Sequence, residues 1–276
     1  MQADILGQVT VDRFRVNASV GYLPSGGSAA TLTRPPTDRI VSRVHWVGAD
    51  LGADRDILVR VGRMNLPFGL RMPEHTSFVR QSTRTESNAS QQHGAAVSLS
   101  RGPVRAEAML IAGNLQLSPD ELRERGYSTY FEYAPLAKLA FGVSSLIAHA
   151  DAAGPGGAGT FRHAHGLFAR YSPHSRLSFA GESDLLHTSV QGARSRAGLA
   201  SFVQVDGEVV QGLHLIGTVE QLAASFTEGS MGLGAWGSVA WFFGPHFDVR
   251  VDAIFQTLPA RPGLVTSQLV QLHFYL

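Results

Sequence analysis

Charged residues that recur two positions apart along otherwise apolar segments are the first candidates for chemistry in this chain. Arg105 and Glu107, Glu182 and Asp184, Asp206 and Glu208, and Asp248, Arg250 and Asp252 all show this spacing. Residues two apart point to the same side of a β-strand. Each set would therefore line up on one side, where it could pair with charges on a neighbouring strand or bind and steer ions in a water-filled space. Imidazoles form the second group. His163 and His165 share one strand face and His187 lies five residues after Glu182, but no H-E-x-x-H motif and no third-ligand spacing follows. Metal binding is not expected. There is no G-x-S-x-G elbow and no phosphate-binding loop, and the glycine-rich run Gly154-Pro155-Gly156-Gly157-Ala158-Gly159 opens no helix. With no cysteine in the chain, thiolate catalysis, disulfides and thioether-linked haem are removed as well. No catalytic residue and no cofactor are expected.

The 276 residues are only 16% charged, against about 25% in ordinary soluble domains. A net charge of +1 gives no electrostatic footprint for nucleic acid, whose binding is driven by phosphate neutralisation. The 23 basic residues comprise one lysine, Lys138, and 22 arginines. No run approaches the roughly 18 apolar residues of a membrane-spanning helix. The first residues, Met1 to Ile5, have neither the basic start nor the apolar run of a signal peptide.

The elements that must position these charges are strands. Phe247, Val249, Val251, Ala253 and Phe255 alternate with Asp248, Arg250, Asp252 and Gln256, and Phe14, Val16, Ala18, Val20 and Tyr22 alternate with Arg13, Arg15, Asn17 and Ser19. No convincing amphipathic helix of 12 or more residues is present. The connections fall into two classes that take turns along the chain. Short ones lie near 11–13, 52–55, 102–103, 134–137, 172–175, 205–208 and 244–246; longer ones lie near 24–39, 67–90, 114–125, 151–160, 188–195, 221–230 and 259–264. Alternating short and long connections between strands of about ten residues predict an all-β, antiparallel up-and-down transmembrane barrel with short periplasmic turns and longer outer loops. A soluble barrel or sandwich with an apolar interior gives the same period of two.

Fifteen strands are counted, among them 3–11, 14–23, 40–50, 55–66 and 265–276. Bacterial single-chain barrels usually have an even number. Either 3–23 is one long strand, giving fourteen, or a first strand lies upstream, giving the favoured sixteen. One barrel domain spanning 1–276 is expected. Val270, Leu272, Phe274 and Leu276 alternate with Gln271, His273 and Tyr275, a pattern that resembles the terminal strand of bacterial outer-membrane proteins. Trp46, Tyr127, Tyr133, Tyr171, Trp241, Phe243 and Phe274 fit interfacial aromatic girdles.

The run Arg60-Val61-Gly62-Arg63-Met64-Asn65-Leu66-Pro67-Phe68-Gly69-Leu70-Arg71 resembles the G-R-x-x-x-P-F-G segment of the porin O and P family of phosphate-selective porins and related barrels. In the chain itself, Gly62 would allow a bulge that re-aims Arg63, and Pro67 would end a strand. The resemblance implies that the following loop, 67–90, can fold into the lumen, making Arg71, Arg80 and Arg84 candidates for a constriction; a solvated outer loop is the other reading. With apolar faces turned to lipid, the lumen would receive Arg15, Arg43, His45, Arg60, Arg105, Glu107, Glu132, Lys138, Glu182, Asp184, Gln204, Asp206, Glu208, His214, Glu220, Asp248, Arg250 and Asp252, and the re-aimed Arg63 is a further pore-lining candidate. Both signs are present, so phosphate selectivity does not follow, and the near-absence of lysine departs from the lysine-rich lumen of the phosphate-specific members. The expected function is a porin of the bacterial outer membrane, a passive channel for small hydrophilic solutes or ions. Its partners would be the lipid bilayer and, by analogy with other porins, further copies of itself. A plugged or scaffolding barrel of an envelope complex is the alternative. A barrel-rim enzyme would need a Ser/His or acidic pair that spacing along the chain does not reveal.

Overall fold

The first two strands show how local sequence shapes the wall. β1 (Ala3–Val11) and β2 (Phe14–Tyr22) are paired antiparallel from Ala3↔Tyr22 to Val11↔Phe14. Between them Asp12 takes a left-handed conformation, φ 50°, which Asp tolerates better than most residues. The hairpin excludes a single long strand over 3–23. A computed structural model describes residues 3–22, 40–71, 77–85, 90–113, 124–151, 157–229, 231–259 and 261–274.

The order continues with β3 (Ile40–Val41), β4 (His45–Leu51), β5 (Ile57–Met64), α1 (Phe78–Thr83), β6 (Gln92–Arg101), β7 (Val104–Gly113), β8 (Arg125–Leu136) and β9 (Leu139–Ala150). It ends with β10 (Thr160–His174), β11 (Leu177–Val190), β12 (Arg196–Val210), β13 (Leu213–Ala223), β14 (Met231–Gly244), β15 (Phe247–Leu258) and β16 (Arg261–Phe274). Fifteen strands form one continuous antiparallel path in chain order, and the two-residue β3 pairs with β2 beside it. Among the described residues no ladder joins β1 to β16. With an odd number of antiparallel strands on the path, β1 and β16 run the same way, from the long-loop end to the short-turn end. The single strand expected over 40–50 is broken at Ser42–Val44, where Ser19 intervenes. Its N–H donates to the Val44 carbonyl at 2.7 Å and its hydroxyl accepts from the Val44 N–H at 2.8 Å.

The wall is inside-out relative to a soluble barrel. On β2, Phe14 and Val20 are 67% and 58% exposed, whereas Asn17 and Ser19 are 8% and 6%. The same inversion places Val143, Leu167 and Val251 outward and buries Glu132, Asp184 and Asp252. A soluble barrel with an apolar interior is therefore excluded. Hydrocarbon can solvate the outer face, and the ladders satisfy the backbone internally.

The apolar packing that does exist lies inside the wall. Met64, Leu66 and Phe68 are buried against Ala96, Met109, Ile111, Leu146 and Ala164, and Leu70 and Val79 against Phe168, Ala200 and Phe202. The chain after β5 therefore turns into the lumen instead of away from it. Burying each large side chain contributes about 1.5–3 kcal/mol. This packing also corrects one girdle assignment: Trp46 faces inward, packed on the Met64–Phe68 cluster with the Arg60 guanidinium 5.4 Å from its ring. Tyr133, Tyr171, Trp241, Phe243 and Phe274 remain exposed on the outer face.

Candidate functional site

The inward turn begins at Gly62. Its φ is +142°, and a Cβ there would sit 2.3 Å from the His45 carbonyl oxygen. Glycine thus permits close approach of β4, and β5 keeps its register with both neighbours there; the nearest register shift is in the β6–β7 ladder, where Ala112 of β7 is the extra residue opposite His93 and Gly94. The chain then passes Pro67, whose carbonyl accepts from Ser128 Oγ at 2.8 Å. Gly69 (φ +55°) lies directly against Glu182, where a Cβ would come within 1.9 Å of Oε1. Only glycine suits both that backbone and that contact.

Beyond Gly69, carboxylates on the wall hold the segment by its backbone. The Leu70 N–H donates to Glu182 Oε2 at 2.7 Å, and the Phe78 N–H donates to Glu220 Oε2 at 2.7 Å. Ser77 caps α1. Arg80, itself buried, donates to the Phe68 carbonyl at 3.2 Å, to Thr85 Oγ1 at 2.8 Å and to Glu182 Oε1. Arg162 reaches in from β10, donating to the Thr83 carbonyl at 2.6 Å and to Glu124 at 2.6 and 2.7 Å. Arg84 lies 3.5 Å from Glu124. Burial, followed by the neighbouring Arg162, pushes the Arg84 guanidinium down to about 10, against the pull of Glu124. Burial would raise the Glu124 carboxyl, but Arg162 and Arg84 override it and hold the group below its ordinary value.

On the short-turn side of this segment lies a cavity of about 490 Å3, lined in part by Arg71, Arg105, Glu107, Tyr130 and Arg170. Its charges are shared unevenly. Glu107 pairs with Arg60 and, at 2.8 Å, with Arg71. Glu132 pairs with Arg105 at 3.6 Å and Arg170 at 2.5 Å, and also accepts from the Tyr130 hydroxyl at 2.9 Å.

The wall from β11 to β15 is rich in carboxylates instead. His214 Nδ1 lies 2.9 Å from Asp206, and His273 Nδ1 lies 2.8 Å from Asp248. Asp252 accepts from Arg250 at 2.8 Å and from Ser238 at 2.5 Å. Glu220 accepts from Trp236 Nε1 and Gln256 Nε2 at 2.7 and 2.6 Å. Asp184 is buried beside Gly166, and neither of its carboxylate oxygens meets a hydrogen-bond donor among the described residues.

The residues expected to line the lumen thus separate into groups. Arg60, Arg71, Arg105, Glu107 and Glu132 come together around the cavity. Arg80, Arg84, Glu182 and Asp184 meet where the segment is anchored, and His214, Asp248, Arg250 and Asp252 line the opposite wall. Arg63 does not join them. It shares the outward face of β5 with Val61, beside His45 and His93, whose Nε2 atoms are 3.1 Å apart. The physical reason is again the buried segment, which gives Trp46 and Met64 apolar partners inside and turns their alternate neighbours His45 and Arg63 outward. Arg43 is buried between β3 and β4, within electrostatic reach of Arg63. Two further arginines, Arg162 and Arg170, join these groups although no motif or two-residue charge spacing marks them along the chain. Their shared parity with Phe168 along β10 was the available signal. His163 and His165 lie on the other, outward face, with the His163 and His187 rings 4.4 Å apart. Among the described residues no cluster of histidines and carboxylates is arranged to hold a metal.

No protein-family model matches the chain, and no curated protein matches it. Solved structures do. OmpT of Vibrio cholerae, an outer-membrane protein folded in vitro and seen in a trimer form, superposes with a TM-score of 0.73 at 12% identity, covering 100% of this chain and 91% of its own. The fold is that of an outer-membrane β-barrel. An anion-selective porin from Comamonas acidovorans is similar at a TM-score of 0.66 and 11% identity, over 99% of this chain and 89% of its own. The outer-membrane channel DcaP of Acinetobacter baumannii follows at 0.63 and 11%, over 98% and 83%.

Proposed function

We propose that the chain is a single-domain porin of the bacterial outer membrane, through which small hydrophilic solutes or ions diffuse passively past a constriction made by residues 66–71 and 77–85. The observation that carries this reading is the anchored segment. An inside-out wall holds it through Ser128, Arg162, Glu182 and Glu220, and arginines with solvent access line the cavity beneath it. The segment narrows the lumen, and the charges beside it set which ions pass. The resemblance to the porin O and P family adds no solute of its own, because a lumen with both signs does not specify phosphate. Self-association is part of the proposal by analogy with other porins.

Reconstitution into planar bilayers tests it. Protein verified as folded by heat-modifiable gel mobility should give discrete current steps. A second reading, a plugged barrel that serves a structural role, is favoured by the near-complete burial of Phe68, Phe78 and Val79 inside the wall. Folded, inserted protein that passes no current would select that reading and overturn the porin.

A further inference from the structure

We infer that the cavity on the short-turn side is a binding station for small oxyanions, carboxylate or phosphate, which makes the channel anion-preferring. This inference rests on the porin reading for its transport consequence, but not for the binding itself.

The first argument is charge. Arg71, Arg105 and Arg170 line the cavity with Glu107, and together with Arg60 behind them their guanidinium groups share only the carboxylates of Glu107 and Glu132. No other carboxylate lines the cavity among the described residues. The nearest acids beyond it already have partners: Glu182 accepts from Arg80 and the Leu70 N–H, and Asp206 is held by His214. The balanced charge of the whole chain therefore conceals a local positive excess.

The second argument is access. The Arg71, Arg105 and Arg170 side chains are 59%, 63% and 46% exposed, whereas Glu107 and Glu132 are 10% and 2%. The carboxylates sit behind the arginines, and their oxygens are occupied by two guanidinium groups each, with the Tyr130 hydroxyl as a further donor to Glu132. A solute in the cavity thus meets the positive groups first. Tyr130 is itself fixed by stacking on Phe168, ring centroids 5.1 Å apart.

The third argument is chemistry. A guanidinium presents a planar fork of N–H donors that matches an oxyanion and keeps its charge at any physiological pH. Arg71, Arg105 and Arg170 each spend part of their fork on a carboxylate, and the exposed remainder faces the cavity. Arg71 comes from the inward segment, and Arg105 and Arg170 come from β7 and β10. An anion between them would therefore be gripped from both the constriction and the wall. Partial satisfaction also keeps the grip weak, as a conducting site requires.

The test uses the whole folded chain, the wild type and the double variant Arg105→Gln/Arg170→Gln, with Arg101→Gln as a control for loss of a charge outside the lumen. In a potassium chloride gradient the wild type should reverse at the sign of anion preference. The double variant should lower the anion-to-cation permeability ratio by about tenfold, the low end of what a focused field supplies, while the control should match wild type. Millimolar inorganic phosphate should reduce the wild-type chloride current saturably. Ordinary conductance with no anion preference and no phosphate effect would overturn the inference and leave the porin reading standing. Binding is also read without current, as broadening of the phosphorus resonance of inorganic phosphate by detergent-folded protein. Broadening that the double variant loses supports the site even in a silent barrel, where the porin reading alone would fail. Equal broadening by wild type and variant, or none by wild type, would overturn the site. Should the double variant fail the mobility check, Arg105→Lys/Arg170→Lys keeps both charges, and it should retain anion preference while weakening phosphate block.

Discussion

Two walls of one lumen use the same kinds of charged residue in opposite ways. On β7, β8 and β10, the carboxylates of Glu107 and Glu132 are withdrawn from water, and Arg105 and Arg170 of the same wall, with Arg71 of the inward segment, pair with them and face water. On β11 and β13 the carboxylates are again buried, but Glu182 and Glu220 turn to the inward segment and hold its backbone N–H groups. The first wall leaves positive charge available to a solute. The second spends negative charge on architecture. Burial decides which role a group takes: Glu182 and Glu220, withdrawn from water, offset that cost by accepting hydrogen bonds from the segment, whereas an exposed guanidinium can share its donors with whatever passes.

The largest effect should come from breaking the architectural wall. Glu182→Ala leaves Arg80 buried without its carboxylate and the Leu70 N–H without its acceptor, at a cost of about 3–5 kcal/mol. The inward segment should release, seen as larger, noisier conductance steps and as new tryptic cleavage at Arg80 and Arg84. Unchanged conductance and protease resistance in a folded variant would remove Glu182 from the anchor.

Acid should loosen the same anchor from its other end. Because Arg162 and Arg84 hold Glu124 below its ordinary 4.5, its ionised form is favoured in the folded state. The stability it contributes is present above that ordinary value and is lost as pH falls through the depressed folded value. Protection of Arg84 from cleavage, assayed by acid pulse and return to neutral pH, should be the same after pH 7 and pH 5 and should fall only well below 4.5. Loss of protection already at pH 5 would contradict the pairing.

Neutralising the far wall sharpens the contrast. Asp248→Asn with Asp252→Asn should raise anion preference by only two- to threefold or so, less than the arginine variants lower it, because both carboxylates are buried and bonded to neighbours. Reversal potentials measure it, and a shift as large as that of the arginine variants would mean that both walls face the solute equally.

The smallest effect should be at Asp184. Its oxygens have no donor among the described residues, so Asp184→Asn should be neutral or stabilise by up to about 1 kcal/mol. Thermal unfolding in detergent reads this, and strong destabilisation would reveal a donor that pairs with the ionised carboxylate.

Much of the fold was legible along the chain because strand parity is local. Asp248, Arg250 and Asp252 face inward as their alternation with Val249 and Val251 requires, and the alternation of short and long connections located the hairpins. The bulge expected at Gly62 does not form, so Arg63 stays outward with Val61, and the legible rule failed at Trp46 and His45. There the apolar-out, polar-in rule presumes an empty lumen, and residues 64–70 fill it with apolar side chains. Arg162 and Arg170 share the inward parity of Phe168 on β10, but parity alone does not say that they reach Glu124 and Glu132, 38 residues away.

What the sequence by itself determined is the inside-out alternation, the hairpin order and the identity of the charges, all consequences of a period of two acting between neighbours. What only the tertiary structure decided is which charges meet. Arg80 and Glu182 are 102 residues apart, and Leu70 and Glu182 are 112 apart. Such pairs depend on the register of several successive ladders and on the path of one inward segment, neither of which leaves a local trace. The arginine excess at the cavity is of the same kind, because it arises from which carboxylates the fold buries and not from how many the chain contains.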